Sequence, residues 1–487
     1  GKAPLGPVGK AAPKTASASP TAASTEGSAT GWHGEVGSYS LGAHVKELHS
    51  RRGSGSFESA PNVALTTLDT PLMIRRMSER TTSELSALLS TLGLVPMAGG
   101  GGSGAVSPSA PSHYVDGGAV AVQLMRGDTG AAATGTVTHV MGNKLVGFGH
   151  PMMESGPSTL PMAVAKVLWI LSSDQRSFKI AEPIRPLGTI IQDRQSCIVG
   201  DENVVAPMVP ITIDLVGDDT APKKKWAIEV VSDKFMTPMF AAFAVGDALG
   251  ATLNDRRDAS WTVSATIKIK GRAPMIVEDF GVSGQGVPGA GVIAMSRIGA
   301  AIGEVLNNPW QTVSLDGIDT KIVVEWKRDV VRLRGAELLE SAVEAGSSAR
   351  VRLTLKPYMG EEYTVIIAVP IARELAGKDI DLEVLPGWMA TPDLAAPETL
   401  DQLVSNLQAK PQSPRSFVIQ YKHPEPGIAI DGKVASRLPA FAFDGLRSTS
   451  STLVPEAFTP MVRVAKDIGA YTDGMSRLRL TVRAPSK

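Results

Sequence analysis

The residues best placed for chemistry are a histidine, an acid and a serine, each in a constrained setting. His150 lies in the turn Gly147-Phe148-Gly149-His150-Pro151. Proline fixes φ and glycine permits close approach of the backbone, so the imidazole is held by its neighbours, as proton transfer requires. About forty residues later, after an apolar run, come Asp193 and Arg194. Asp193 can orient His150 in a nucleophile–base–acid relay, or it can form a local ion pair with Arg194 that holds a sheet. Asp174 and Asp201 are further acids, both in polar loops. Ser283, in Gly-Val-Ser-Gly-Gln-Gly (281–286), has glycines that would let backbone amides form an oxyanion hole, although the stretch also reads as a loop before a helix. Ser155 and Ser158 read as turn residues. His150 itself has a plain alternative, a structural histidine capping its turn through Nδ1.

Other chemistries find little support. Cys197 is the only cysteine, which rules out an intrachain disulfide, and its apolar setting reads as a buried small hydrophobe. His33, His44, His49, His113, His139 and His423 are scattered, with no pair at metal-ligand spacing. The Ala-Gly-Gly-Gly-Gly-Ser-Gly run lacks the lysine of a phosphate loop, so no cofactor is expected. Lys plus Arg equal Asp plus Glu at 48 each, a balance that argues against a basic face for nucleic acid. No apolar run reaches the roughly 18 residues of a membrane span.

The elements that must position these residues follow from texture. At 487 residues, two or three domains are expected. Residues 1–60 are Ala/Ser/Pro-rich and read as a disordered linker. Residues 61–112 combine an amphipathic helix over Ile74–Leu94, ending at Gly93, with a second flexible run from Ala98 to Ser112. From 113 to 328 short Val/Ile/Thr-rich runs alternate with turns, including a Gly-Asn hairpin in MGNKLVGFG. Helical patches interrupt near Phe235–Leu253 and Ala290–Leu306. Residues 329–487 read as an accessory β-sandwich-like region with one helix at Thr399–Leu407. The expected fold class is therefore mainly β with a few helices, a barrel or sandwich followed by a second β region.

Several words in order carry a family resemblance: GFGHP (147–151), ESGPSTLPM (154–162, a small-residue loop), RSFK (176–179), GTIIQDR (188–194), IVG (198–200) and APMVPITIDL (206–215). Together they resemble the SpoIVB-type peptidase family. A looser likeness covers most of the chain after residue 60, including VPMAGGGG (95–102), VLNNPW (305–310) and ARVRLTLKPY (349–358). The resemblance implies a serine endopeptidase on a trypsin-like β framework, acting on protein or peptide substrates in the bacterial envelope, periplasm or outside the cell. His150 matches the family's histidine. The family's serine sits in a Gly-Met-Ser-Gly-Ser-Pro motif that is absent here. In long bacterial members that motif precedes the linker, so an upstream N-terminal segment would carry the nucleophile. The alternative is a catalytically inactive, protease-like scaffold that binds at a surface.

Overall fold

The alternating runs do form strands, and their pairing explains where His150 sits. The computed structural model describes residues 29–30, 70–99, 107–172, 177–219, 221–253, 255–294, 296–430, 433–435 and 456–485; Asp174 lies outside them. Fourteen strands make one continuous sheet. They are β1 (Ala29–Thr30), β2 (Thr70–Arg75), β3 (Leu94–Gly99), β4 (Ala119–Gly127), β5 (Gly130–Met141), β6 (Lys144–Gly147) and β7 (Gly156–Leu171). There follow β8 (Phe178–Arg194), β9 (Cys197–Asp201), β10 (Met208–Val216), β11 (Lys225–Val231), β12 (Ala259–Ile269), β13 (Met275–Ser283) and β14 (Leu315–Glu325).

Within this sheet, β4 pairs with both β5 and β7, which closes a six-stranded antiparallel ring in the order β4-β5-β6-β9-β8-β7. Three hairpin-linked strands followed by a fourth that returns beside the first is Greek-key connectivity. The β4–β5 hairpin outruns the ring. Its far half joins an open sheet, where Met125–Gly127 pair with β11 and Gly130–Ala133 pair with β2. That open sheet contains two parallel pairs, β2–β3 and β10–β14. Parallel neighbours need a crossover, and helix α1 (Glu79–Leu89) supplies it between β2 and β3. Helices α2 (Met236–Thr252), α3 (Ala290–Ala294) and α4 (Arg297–Leu306) share the core. Helix α2 is apolar on nearly every side and correspondingly buried.

Three expectations change here. Ile74 lies in β2, not in a helix, which starts only at Glu79 behind the Ser78 cap and does end at a left-handed Gly93. Beyond Glu154 and Ser155 the ESGPSTLPM stretch is no loop, because Gly156–Leu171 is one long strand. Cys197 is half-buried at the start of β9 rather than fully inside.

Beside a small three-stranded sheet (Gly427–Ile430, Lys433–Ala435 and Glu456–Phe458), the second β region packs two larger sheets around a core of their own. One holds strands Val330–Leu338, Ser348–Pro357, Tyr363–Pro370 and Tyr471–Asp473; the other holds Asp379–Pro386, Ser416–Lys422, Met461–Asp467, Ser476–Arg483 and Ala342–Glu344. Leu353 and Val369 of the first meet Leu382, Phe417 and Leu480 of the second in one apolar cluster. Helix α5 (Leu400–Gln408) belongs to this region in sequence but buries Leu400, Leu403 and Leu407 in the first core. Arg297 fastens it there by donating to the carbonyls of Leu407 in its last turn and Ala409 at its C-cap. Among the described residues no helix is long and apolar enough to cross a membrane.

Candidate functional site

His150 sits on the link that completes the Greek key. Strand β6 ends at Gly147 and β7 begins at Gly156, with two strands of the ring, β9 and β8, between them. One rung runs across that gap: Gly147 pairs with Ile198, Ile198 with Asp193, and Asp193 with Gly156. Residues 148–155 therefore cross the end of the ring over β9 and β8. An irregular crossing segment has no ladder for its amides, so they need other acceptors.

Asp193 is that acceptor. It is fully buried, and its Oδ1 accepts from the Met152 amide at 2.8 Å. Its Oδ2 accepts from the amides of Met153 (2.8 Å) and Ser155 (3.2 Å) and from the Ser155 hydroxyl (3.2 Å). Four donors compensate one buried charge, the condition for keeping it in the interior. Met152 is buried in the main core. The crossing is thus held by a carboxylate at one side and an apolar plug beneath.

The first half of the crossing is set by conformation. Phe148 (φ +71°) and Gly149 (φ +74°) are both left-handed, and a phenylalanine holds that region only when its surroundings compel it. Its amide donates to the Thr136 carbonyl at 2.9 Å, and its ring covers Gly135, where a Cβ would overlap it. The same ring stands 5.6 Å from that of His150. His150 is half-buried, and its Nδ1 lies 2.8 Å from the Pro151 carbonyl oxygen. A carbonyl only accepts, so Nδ1 carries the proton and the lone pair falls on Nε2. No other described residue bonds to the ring.

The expected relay is only partly assembled. Asp193 belongs to the His150 turn but does not bond to the imidazole; it positions the segment that carries it. Nor does Asp193 pair with Arg194, which is exposed and donates to Gln192 Oε1 at 2.8 Å. Asp201 accepts from Asn143 and from the Asn203 amide in a hairpin corner. Ser283 ends β13, six strand positions from β7 in the sheet. It accepts from the Gln285 amide and lines a separate cavity of about 740 Å³ with Arg256, Arg328 and Trp261. Ser155 is committed to Asp193, and Ser158 donates to the Ile190 carbonyl.

Histidine–carboxylate pairs do form elsewhere, at two of the scattered histidines. His139 Nδ1 meets Asp116 Oδ2 at 3.0 Å, and His113 Nδ1 meets Glu202 Oε2 at 2.9 Å. Hydrogen bonds from His139 and the Val140 amide hold the Asp116 carboxyl below its usual range, but both partners of that pair are exposed. Their sequence separations, 23 and 89 residues, carry no local signal.

Two cavities flank the His150 turn. One of about 510 Å³ is lined by Glu154, Asp193, Arg194 and Ser196. The other, about 520 Å³, lies between Met153–Leu160 and the Asp233–Met236 corner and has Leu92 and Phe235 as apolar walls. Its size is in the range that takes a ligand or a short stretch of chain. No family model, curated protein or solved structure matches this chain.

Proposed function

We propose that the chain is the histidine-bearing part of a SpoIVB-type serine endopeptidase, with His150 as general base. The observation that carries this reading is the imidazole itself. Its Nδ1 is tied to the Pro151 carbonyl, its Nε2 lone pair is unengaged, and its turn is clamped by the buried Asp193. A base so held takes a hydroxyl proton at Nε2 and returns it to the leaving amine. Here a backbone carbonyl fixes the tautomer, and the acid acts one step removed, as a positioning residue. The closed six-stranded Greek-key ring supports the trypsin-like framework that the resemblance implies. The nucleophile would come from the family's Gly-Met-Ser-Gly-Ser-Pro segment, presented to Nε2, and the 520 Å³ cavity along residues 153–160 would take adjoining chain.

A catalytically inactive scaffold is the second reading, favoured by the lack of any serine bonded to His150 among the described residues. A serine-directed fluorophosphonate applied to the full gene product separates the two. The enzyme reading expects one labelled serine, with the labelling rate reduced by about 10²–10⁴ in His150→Ala. Absence of labelling in protein that melts cooperatively would refute it.

A further inference from the structure

The hairpin that starts at the His150 turn runs far beyond the ring. Strand β4 pairs with β7 only as far as Val164, whereas β7 stays paired with β8 out to Leu171 opposite Phe178. Past Val164 no other described strand touches that edge of β7. On it stand Val167, Leu168, Trp169, Ile170 and Leu171, with exposures from 37 % at Val167 to 67 % at Trp169. Successive residues of a strand face opposite ways, so both faces of this arm are apolar and uncovered. A free strand edge with five large apolar side chains in a row is a template for pairing with another chain.

The arm's own chemistry selects the occupant. A bilayer would also have to accommodate the sequence that links β7 to β8, Ser172-Ser173-Asp174-Gln175-Arg176-Ser177, which is polar throughout. A flat partner would cover one face and leave the other wet. A strand laid along the edge does both jobs: it satisfies the outward row of backbone groups and sets its side chains against both faces. We infer that Lys166–Leu171 is a docking edge for an extended, apolar segment of another polypeptide, held by strand addition. At ~3.3 Å per residue, Val167 lies about 36 Å along β7 from Gly156. The arm therefore tethers a polypeptide near the His150 turn without reaching the scissile bond, raising its effective concentration there. Naming that polypeptide as substrate rests on the peptidase reading; the docking edge does not.

The probe is a fluorescently labelled, reduced and carboxymethylated α-lactalbumin, an unfolded chain, titrated into the full-length protein and read by anisotropy. The variant is Trp169→Ser/Ile170→Ser, whose side chains are exposed and leave the core untouched. Wild type should bind, and the variant should bind at least tenfold more weakly with an unchanged melting curve. No binding by wild type, or equal binding by the variant, overturns the inference. So does a wild-type dimer in sedimentation that the variant turns into monomer, since a second copy then covers the edge. Binding to phosphatidylglycerol vesicles that the variant loses would likewise overturn it, in favour of a lipid surface. The titration is repeated in His150→Ala. Retained binding with no fluorophosphonate labelling of wild type keeps the arm and removes the peptidase; labelling without binding does the reverse.

Discussion

Replacing Asp193 with asparagine tests whether a carboxylate holds the histidine turn. The two oxygens are used unequally: Oδ1 serves one donor and Oδ2 serves three. An asparagine does best by keeping its oxygen at the threefold position, which turns its NH₂ toward the Met152 amide. One bond is then lost and two donors face each other, at about 1–3 kcal/mol for the buried amide left unpaired. The three remaining bonds drop from charge-assisted to neutral strength, roughly 1 kcal/mol each, partly offset because no buried charge needs solvating. A net loss of about 3 kcal/mol corresponds to roughly a hundredfold in the opening equilibrium of the turn. Hydrogen exchange followed by mass spectrometry reads this directly. The amides of Met152, Met153 and Ser155 should exchange about a hundredfold faster in Asp193→Asn, while those of Val120–Val122 in the ring should not change. Ser155→Ala, which removes only the hydroxyl bond, should shift the same amides by less than about tenfold, from about 1 kcal/mol. Unchanged protection in Asp193→Asn would show that packing of Met152, not the carboxylate, fixes the crossing.

Two further outcomes are expected. Burial pushes the Asp279 carboxyl up to about 6, against the opposing pull of the Phe280 and Arg297 amides and the Arg297 charge. The folded state then holds this proton more tightly than an unfolded chain, whose aspartate titrates near ~3.9, so stability falls as pH rises between those values, by roughly 3 kcal/mol. Thermal melts from pH 4.5 to 7 should show that decline and should lose much of it in Asp279→Asn; an unaltered slope would count against it. Gly135→Ala should displace the Phe148 ring, destabilise the protein by about 1–3 kcal/mol and change the rate at which diethyl pyrocarbonate modifies His150. If that rate stays at the wild-type value, Phe148 does not help to place the imidazole.

Much of the fold was legible because burial imposes a period. Strand β10 alternates Val209, Ile211, Ile213 and Leu215 inward, and helix α2 is too apolar to lie anywhere but inside. The first half of β7 reads as a loop in the sequence because Gly156, Pro157 and Pro161 are turn residues by propensity. Proline is nonetheless tolerated where a strand's N–H points away from its partner, as on an edge. Ile74 was drawn into a helix because Arg75–Glu79 is polar and charged enough to look like its first turn; the pairing of β2 with β5 and β3 wins instead. The boundary near residue 329 hid the traffic of α5 back to the first core, since no local pattern says which of two cores an amphipathic helix will choose. In the site, the histidine's fixed setting was visible from its neighbours. Which atom Asp193 serves was not, because that depends on how the ring closes.

Closure of the ring also explains why two short words so far apart belong together. A Greek key must send one connection across the end of its own sheet, and that connection has amides without a ladder. Here the crossing is residues 148–155, and β8, which it crosses, carries Asp193 one residue from its end, on the same rung as Gly147 and Gly156. The acid is placed to receive those amides before any question of catalysis arises. Its hold on Met152, Met153 and Ser155 then leaves His150, two residues upstream of the clamp, with its ring fixed through Pro151 and Nε2 unbonded. A structural demand of the topology thus supplies an oriented imidazole. On the peptidase reading, losing the clamp while keeping His150 should damage activity through placement: kcat should fall in Asp193→Asn with the pH profile of the base in place, whereas an acid bonded to the ring would have moved that profile.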